Sequence, residues 1–342
     1  MKKIQITIAI IISLLTMKSS YAQDPSFSQF FSSPLNINPA LTANINSDWR
    51  LISNVRDQWI GPASPYTTGT VSYDTKLNQN KYENVPESNY IGIGGMMMYD
   101  KTMGGIQKST YASLNLSYTV KLLEDDYGNK QNLSVGFGGI YGRKNIDFSK
   151  LDFSNQFMGS GFDTNLPSGE TALNNMKPYY SLSAGLVYNT SCEKSNFDIG
   201  VAAFHLNKPK QSYVEDEHQF LAIRKVVHVN FETIVNDKVV FNANGIYQNQ
   251  AKASYFSVGG SFGYHIDEEE NGTMVNAGLW YWSKNALIPY VGVAYKDMQF
   301  GFSYDMTISK LSQAEKKPST FEVSLILRGT RKASGAIPCP WK

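Results

Sequence analysis

The sequence predicts an all-β protein: a transmembrane antiparallel β-barrel of about fourteen strands. Three observations predict this fold. Segments with alternating apolar and polar residues recur along the chain, no stretch of useful length has helical periodicity, and the composition is rich in aromatics but poor in charge. Successive strand side chains point to opposite faces, so each segment has one apolar and one polar face. A soluble sandwich strand shows the same alternation, but its recurrence without helices in between is typical of a membrane barrel.

The last hairpin, Gln299 to Arg328, shows the pattern best. Between Phe300 and Ile308 every second residue is large and apolar, and the residues in between are Gly, Ser, Asp or Thr. The second arm repeats this from Phe321 to Leu327. With this hairpin the segments make fourteen, an even number as in bacterial single-chain barrels. The other predicted strands are Trp49–Trp59, Tyr66–Leu77, Tyr90–Tyr99, Thr110–Val120, Gln131–Gly142, Tyr180–Tyr188, Asn196–Phe204, Ile223–Ile234, Val239–Gln248, Ser254–His265, Met274–Trp282 and Leu287–Tyr295.

Composition agrees with a sheet that faces lipid on one side. Aromatic residues are 13% of the chain, and only 18% of residues are charged, against roughly 25% in soluble domains. The formal net charge of +2 gives no electrostatic reason to expect nucleic acid as a partner, because nucleic-acid binding needs a strongly basic face.

Residues 1–22 are predicted to be a secretory signal peptide. Lys2 and Lys3 precede an apolar run from Ile4 to Met17, and small residues precede a cleavage site between Ala22 and Gln23. The alternative is a membrane anchor helix, but the run is shorter than the ~20 residues that a spanning helix needs.

Residues 23–47 are predicted to form an ordered segment that plugs the barrel or lines its mouth. Pro25, Pro34 and Pro39 argue against a helix or a central strand. Disorder is the alternative, yet disordered segments are usually poor in aromatic residues, and this one carries a cluster of phenylalanines between Phe27 and Phe31.

Loop lengths suggest an orientation. Membrane barrels have short periplasmic turns and longer outer loops. If the first strand runs outward, the long connections 145–178, 207–220 and 310–319 all lie on the outer side, although the periplasmic links 78–89 and 122–130 are less short. The barrel is then expected over 48–328, followed by a periplasmic tail over 329–342.

Tyrosine and tryptophan occur near the ends of many segments. Aromatic girdles at the two membrane surfaces would place them there, but the preference of aromatic residues for strands explains them equally well. The girdle candidates are Trp59, Tyr73, Tyr99, Tyr188, Tyr247, Trp282 and Tyr295.

The two cysteines of the chain predict a disulfide. Cys192 lies in a short link and Cys339 in the tail, and the predicted topology places both in the periplasm, which is oxidising. The ten residues from Gly329 can extend roughly 33 Å, enough to bring the tail across the barrel mouth. The alternative is two free thiols.

No arrangement of residues predicts a metal, a cofactor or catalysis. The four histidines lack metal-ligand spacing, and zinc sites need such clusters. His228 lies among Asn230 and Glu232 on one strand face, which invites comparison with an outer-membrane hydrolase. A polar residue of the lumen is the better interpretation, because barrel interiors are polar.

Three blocks of sequence resemble the PorP/SprF family of Bacteroidetes outer-membrane proteins. The first runs from Asp24 to Ala40 and reads DPSFSQFF followed by PLNINPA. The second, Ala202–Pro209, reads AAFHLNKP, and the third joins GFSYD at 301–305 with FEVSL at 321–325. In the family a Gly usually follows the NPA motif shortly after, whereas this chain has Leu-Thr-Ala there. The first block contributes the expected signature residues Asp24, Pro25, Phe27, Gln29, Phe30, Asn38 and Pro39.

The resemblance implies a non-enzymatic outer-membrane component of the type IX secretion system. Its expected partners are translocon components, outer-membrane lipid and a secreted surface protein with a C-terminal type IX signal domain. Such a partner can be an adhesin, and a role in gliding motility is implied as well. The alternative is a diffusion channel or a transporter of small solutes.

One outer loop is a candidate for binding the partner. The loop after Asn145 holds apolar side chains among Ser, Asp and Asn, and aromatic residues and Met are enriched in interface cores. The alternative is that the loop packs on itself as a lid. The side chains in question are Phe148, Phe153, Phe157, Met158 and Phe162.

Overall fold

The structure, a computed structural model, is a closed barrel of fourteen antiparallel strands. It describes residues 24–61, 64–77, 89–125, 128–170, 176–211, 219–267 and 272–329. The predicted signal peptide with Ala22 and Gln23, and the tail with Cys339, lie outside the described residues. Each strand pairs with its neighbours in sequence, and the last strand pairs with the first. The predicted fold class and strand number are therefore confirmed.

The strands β1 to β14 follow one another without a crossover. They are Trp49–Ile60, Tyr66–Leu77, Tyr90–Thr102, Gln107–Glu124, Lys130–Ile146, Tyr179–Ser191, Ser195–Phe204, Arg224–Asn236, Val239–Gln250, Ala253–His265, Met274–Trp282, Ala286–Tyr295, Met298–Thr307 and Ser319–Gly329.

The predicted alternation sets the two faces of the wall. In β13, Phe300 and Met306 are exposed on the outside, where they meet lipid, whereas Ser303 and Asp305 between them are buried inside. Strands β4 and β5 extend beyond their predicted ends at Thr110 and Gly142, because their ladder continues through polar residues that the apolar pattern could not mark.

The barrel has two unlike ends. One carries the connections 147–178, 205–223 and 308–318 and is called the long-loop end. The other, the short-turn end, includes turns at 192–194, 237–238 and 296–297. Within the described residues, no helix is long and apolar enough to cross a bilayer.

Two of the predicted girdle residues face the lumen instead of lipid. Trp282 ends β11 on the inward face and is 7% exposed. Trp59 lies at a break in register between β1 and β14 that changes the direction of its side chain. Tyr73, Tyr99 and Tyr295 are exposed on the outer face. The inward direction of Trp282 follows the alternation of β11, in which Trp280 also faces inward, whereas that of Trp59 departs from the alternation of β1.

The lumen contains the chain's own residues 24–46, called the lumen segment below. It has little regular structure: a single α-helical turn, α1 (Pro34–Ile37), lies between 3₁₀ turns at Phe30–Ser32 and Pro39–Leu41. The inference that the prolines exclude helix is wrong for α1. Pro34 occupies the first turn, where the missing N–H has no helical partner to lose.

Candidate functional site

The lumen segment crosses the barrel from one end to the other. Asp24 contacts Arg224 and Gln250, which lie at the long-loop ends of β8 and β9. Ala43 contacts Asp74, which lies near the short-turn end of β2. The segment therefore runs through the lumen before the chain enters β1 at Trp49.

An ionic anchor holds the segment at the long-loop end. The Asp24 carboxylate lies 2.8 Å from His205 Nε2 and 3.2 Å from Arg224 Nε. The Asp24 backbone N–H donates to Gln250 Oε1. Burial of Asp24 opposes its ionisation, but the Arg224 guanidinium and His205 outweigh it and hold the pKa of the Asp24 carboxyl below its usual range. The contacts with His205 and Arg224 thus replace the hydration that the Asp24 carboxylate loses on burial.

The same anchor places a serine, a histidine and an aspartate in a row. Ser181 Oγ lies 2.7 Å from His205 Nδ1, and His205 Nε2 faces Asp24. Ser181 is only 1% exposed, and Asp24 is also paired with Arg224. A nucleophile needs access to substrate and a free base, so we interpret this row as a structural contact of the lumen segment.

A second polar group joins the segment to the strands where the barrel closes. The Glu322 carboxylate of β14 accepts the backbone N–H groups of Ser28 and Gln29, at 2.7 and 3.2 Å. Asp305 of β13 accepts from Ser28 Oγ and from Arg56 Nη2 of β1, both at 2.8 Å. We call these five residues the seam cluster, because they span β1, β13 and β14.

Gln29 and Arg56 extend this attachment. The Gln29 amide donates to Ser303 Oγ and to the Glu322 carbonyl, and its oxygen accepts from Ser324 Oγ. Arg56 Nη1 also donates to the carbonyl of Ser26 at 2.5 Å. Hydrogen bonds to charged groups in such a buried place are stronger than neutral ones, so the segment and the seam are expected to stabilise each other.

Asn38 forms the middle attachment. Its side-chain oxygen accepts from Ala40 N–H and so closes the 3₁₀ turn at Pro39. Its amide nitrogen lies 3.2 Å from the carbonyls of Leu186 and Val201 and 3.1 Å from His228 Nε2. His228, considered above as a hydrolase candidate, is therefore a contact of the lumen segment.

Glycines in the wall make room for this turn. A Cβ on Gly136 would overlap the backbone of Pro39 and Ala40, and one on Gly185 would overlap the Asn38 side chain. Glycine in a strand marks a site where another backbone approaches closely. At the short-turn end, Ser117 Oγ donates to the Thr42 carbonyl.

Apolar side chains of the segment pack against inward-facing residues. Phe30 and Ile37 belong to one buried cluster with Trp280, and Phe31 packs on the Trp280 ring at 4.8 Å. Phe27 and Leu35 belong to another with Met96, Met98, Tyr111, Tyr179 and Leu221. Part of the barrel wall is thus lined by apolar groups that the segment covers.

The loop predicted to bind a partner divides into a base and a tip. Phe148 and Phe153 are half-buried in the base, whereas Phe157, Met158 and Phe162 are 52%, 65% and 51% exposed. We call these three the apolar tip. The Phe157 and Phe162 rings lie 5.2 Å apart across a tight turn.

The loop base is held by its own hydrogen bonds. Buried Gln156 accepts from the Phe153 N–H and donates to the Leu166 carbonyl. The Asp147 N–H donates to the Ile106 carbonyl in the neighbouring loop. These hydrogen bonds therefore hold the apolar tip on a folded support. The tip side chains are exposed to water, which is unfavourable for apolar groups.

The structure describes one of the two cysteines in the predicted disulfide. Cys192 is an exposed cysteine in the turn between β6 and β7, and its predicted partner Cys339 lies outside the described residues. Within the described ranges, no group of three or more His, Cys, Asp or Glu side chains is arranged to hold a metal ion.

Several residues of the lumen network were not singled out from the sequence. Arg56, Arg224, Asp305 and Glu322 are charged residues on the polar face of predicted strands. That placement was the available signal, because charges inside a barrel are expected to be paired. Their partners lie far away in sequence, so the pairs themselves were not predictable.

Comparison with known proteins identifies the family. The family model described as "Type IX secretion system membrane protein PorP/SprF" matches residues 19–327. The chain belongs to the PorP/SprF family. This membership makes it an outer-membrane component of type IX secretion, as the resemblance of its sequence blocks implied. No curated protein shows significant similarity to the chain.

Solved structures share the fold of this PorP/SprF member. The TodX monoaromatic hydrocarbon channel deltaS2S3 mutant has a TM-score of 0.52 at 9% identity, covering 86% of this chain and 93% of that one. The TodX deltaS2 mutant gives 0.52 at 8% identity, covering 88% and 94%. The Ralstonia pickettii toluene transporter TbuX gives 0.45 at 11%, covering 87% and 94%. At these identities the likeness to the two TodX structures concerns the fold alone, and the TbuX score is too low to support a conclusion.

Proposed function

We propose that this PorP/SprF member binds a secreted partner protein at its long-loop end and helps to export it or hold it at the cell surface. The family match over residues 19–327 carries the proposal. The partner class is a surface protein with a C-terminal type IX signal domain, such as an adhesin. The long loops are taken to face the cell exterior.

Two features of the structure support a binding role. The lumen segment occupies the path that a diffusing solute would need, with buried contacts at Asp24, Gln29 and Asn38. The apolar tip is exposed at the long-loop end, and exposed apolar groups on a folded support are typical of interaction sites.

The proposal is tested by isolating the tagged protein from outer membranes of the producing bacterium and identifying what accompanies it by mass spectrometry. A surface protein with a C-terminal signal domain, together with translocon components, is the expected result. Deleting the gene is expected to remove that same surface protein from the cell surface. Recovery of the barrel without translocon or exported protein would count against the proposal.

A small-solute channel is the second candidate, and the channel fold of the solved structures favours it. It requires a continuous aqueous path, so it predicts steady conductance for the intact chain. Binding without passage predicts no such conductance.

Replacing the apolar tip is expected to weaken capture of the partner. We predict that Phe157→Ser with Phe162→Ser reduces the amount of co-isolated partner at least tenfold, because anchors of an interface commonly contribute more than 1 kcal/mol each. Quantitative mass spectrometry of the isolated complex measures this.

Phe220→Ser is the matched control, since Phe220 is 51% exposed on a different long loop. It is expected to leave the partner yield near that of the wild type. Equal yields from the tip variant and the wild type would show that the tip is not the binding surface.

A further inference from the structure

We propose that the long-loop end contains a binding site for a short, neutral oligosaccharide. A cavity of about 600 Å³ lies there, between the lumen segment and the long-loop ends of the strands. Asp24 and Ser26 of the segment and Arg56 of β1 are among the residues that line it. Its volume lies within the roughly 300–1,000 Å³ typical of ligand pockets. This site is distinct from the apolar tip and does not depend on the proposed partner.

The Trp59 side chain faces the cavity, against the alternation of its own strand. Alternation along β1 would place Trp59 on the outer face with Val55, yet it lines the cavity. The register between β1 and β14 breaks between Asp57 and Ile60, and Trp59 has a φ of 62°. Bulges re-aim side chains next to functional sites, and a bulky residue with positive φ is a rare conformation. The wall thus departs from regular strand geometry at the residue that supplies an aromatic ring.

The cavity has aromatic pairs on two walls. The Trp59 ring pairs with Tyr66 of β2 at 5.2 Å, and the Trp282 ring pairs with Tyr255 of β10 at 5.0 Å. All four residues line the cavity. Paired rings hold each other in fixed positions at little entropic cost. Trp59 and Tyr66 on one wall and Tyr255 on the other are half-buried and offer flat apolar surfaces against which the C–H faces of sugar rings pack. Trp282 supports the second wall, because it is buried beneath Arg56 and Tyr255.

The remaining lining favours a ligand rich in hydroxyl groups and without net charge. It includes three side-chain amides, each able to donate and to accept hydrogen bonds: Gln58, Gln107 and Asn285. Arg56 and Asp24 are already ion-paired. Asp100 and Lys144 add one charge of each sign, and Asp100 accepts from Thr68. The one further charged residue of the lining, Lys284, is exposed to solvent. A hydrocarbon would leave these polar groups without partners, at a cost in free energy.

A peptide fits the cavity less well. Extended peptides are commonly recognised by adding a strand to a free sheet edge, and the closed barrel has no such edge. Recognition here relies on side chains around a compact space. Rings on two walls with amides between them suit a saccharide, so we infer that class and treat a peptide as an outcome of the test.

The test uses the full-length protein in detergent and three neutral probes: maltotriose, cellotriose and triacetylchitotriose. Isothermal titration at millimolar probe concentration is expected to detect binding of at least one. Trp59→Ala is expected to weaken that binding at least tenfold, and Gln107→Ala to weaken it severalfold. Trp49→Ala is the matched control, because Trp49 begins β1 at the short-turn end and is expected to leave affinity unchanged.

Each outcome decides the question. If none of the three saccharides binds the wild type, or if both the Trp59→Ala and Gln107→Ala proteins bind as the wild type does, the proposal is overturned. Binding of a mixed-sequence hexapeptide pool instead, with the same dependence on Trp59, would assign the site to a peptide and also overturn it. Heat-modifiable gel migration verifies that each variant forms the closed barrel.

Discussion

Deleting residues 24–46 is expected to convert a non-conducting barrel into a conducting one. In planar bilayers the intact protein should show no steady conductance, whereas the deletion variant should give stable, stepwise openings. The physical reason is that a fourteen-stranded wall encloses more space than its own side chains fill, and the lumen segment occupies that space through its contacts at Asp24, Gln29, Asn38 and Thr42. Steady conductance of the intact chain would instead support the solute-channel function.

A point substitution guards against failure of the deletion variant to fold. Gly136→Val keeps every residue of the segment but introduces a side chain where Pro39 and Ala40 lie. We expect intermittent openings from this protein. Gly139→Val is the matched control on the same strand, since a Cβ there meets nothing within 4 Å. If the folded deletion variant and Gly136→Val both stay closed, the segment does not block the lumen.

Glu322→Ala is expected to lower the free energy of unfolding by about 3–5 kcal/mol. Removing one partner of a buried charged group leaves the others uncompensated, and losses of that size are typical. Here the N–H groups of Ser28 and Gln29 lose their acceptor. Arg56, whose Nε lies 3.9 Å from the Glu322 carboxylate, keeps only Asp305 as an ionic partner. Denaturant unfolding in detergent or lipid, followed by the gel shift of the folded barrel, measures the change.

Glu124→Ala is the control for this loss. Glu124 pairs with Lys121 on a partly exposed surface near the short-turn end. Exposed ion pairs contribute roughly 0–1 kcal/mol, so this variant should unfold close to the wild type. Similar losses for the two variants would show that burial in the seam cluster adds nothing to stability.

The sequence was sufficient for the wall because the wall follows a period of two. Alternation alone assigns Phe300 to the outer face and Ser303 to the inner face. Few other strand arrangements place apolar side chains against lipid and polar side chains in the lumen. Alternation failed at Trp59, which lies at a break in the register between β1 and β14. At Trp282 alternation holds, because this residue lies on the inward face with Trp280, and only its assignment to the girdle was wrong. A register break depends on the partner strand, and no local pattern reveals it.

The contents of the lumen were less predictable. The aromatic cluster at Phe27–Phe31 indicated order in the first residues but not their path. That path depends on pairs such as Ser28 with Glu322, which are separated by 294 positions, and on small residues such as Gly136 that make room. The family blocks contain both sides of the seam cluster: Ser28 and Gln29 lie in the block 24–40, and Asp305 and Glu322 lie in the block at 301–305 and 321–325. The resemblance thus marked these residues, and the structure shows that they contact each other.

The most direct test of the account is a cysteine pair between the lumen segment and the wall. Ser28 Oγ of the segment lies 2.8 Å from Asp305 Oδ2 of β13, so cysteines at these two positions bring their sulfur atoms close enough to bond after a small adjustment. In a chain with Cys192→Ser and Cys339→Ser, Ser28→Cys with Asp305→Cys is expected to form a disulfide in outer membranes under mild oxidation. Ser28→Cys with Met306→Cys is the control and is expected to form none, because Met306 is exposed on the outer face. Mass spectrometry that finds the 28–305 cross-link would support the path of the segment, whereas full thiol labelling of both cysteines in the folded barrel would contradict it.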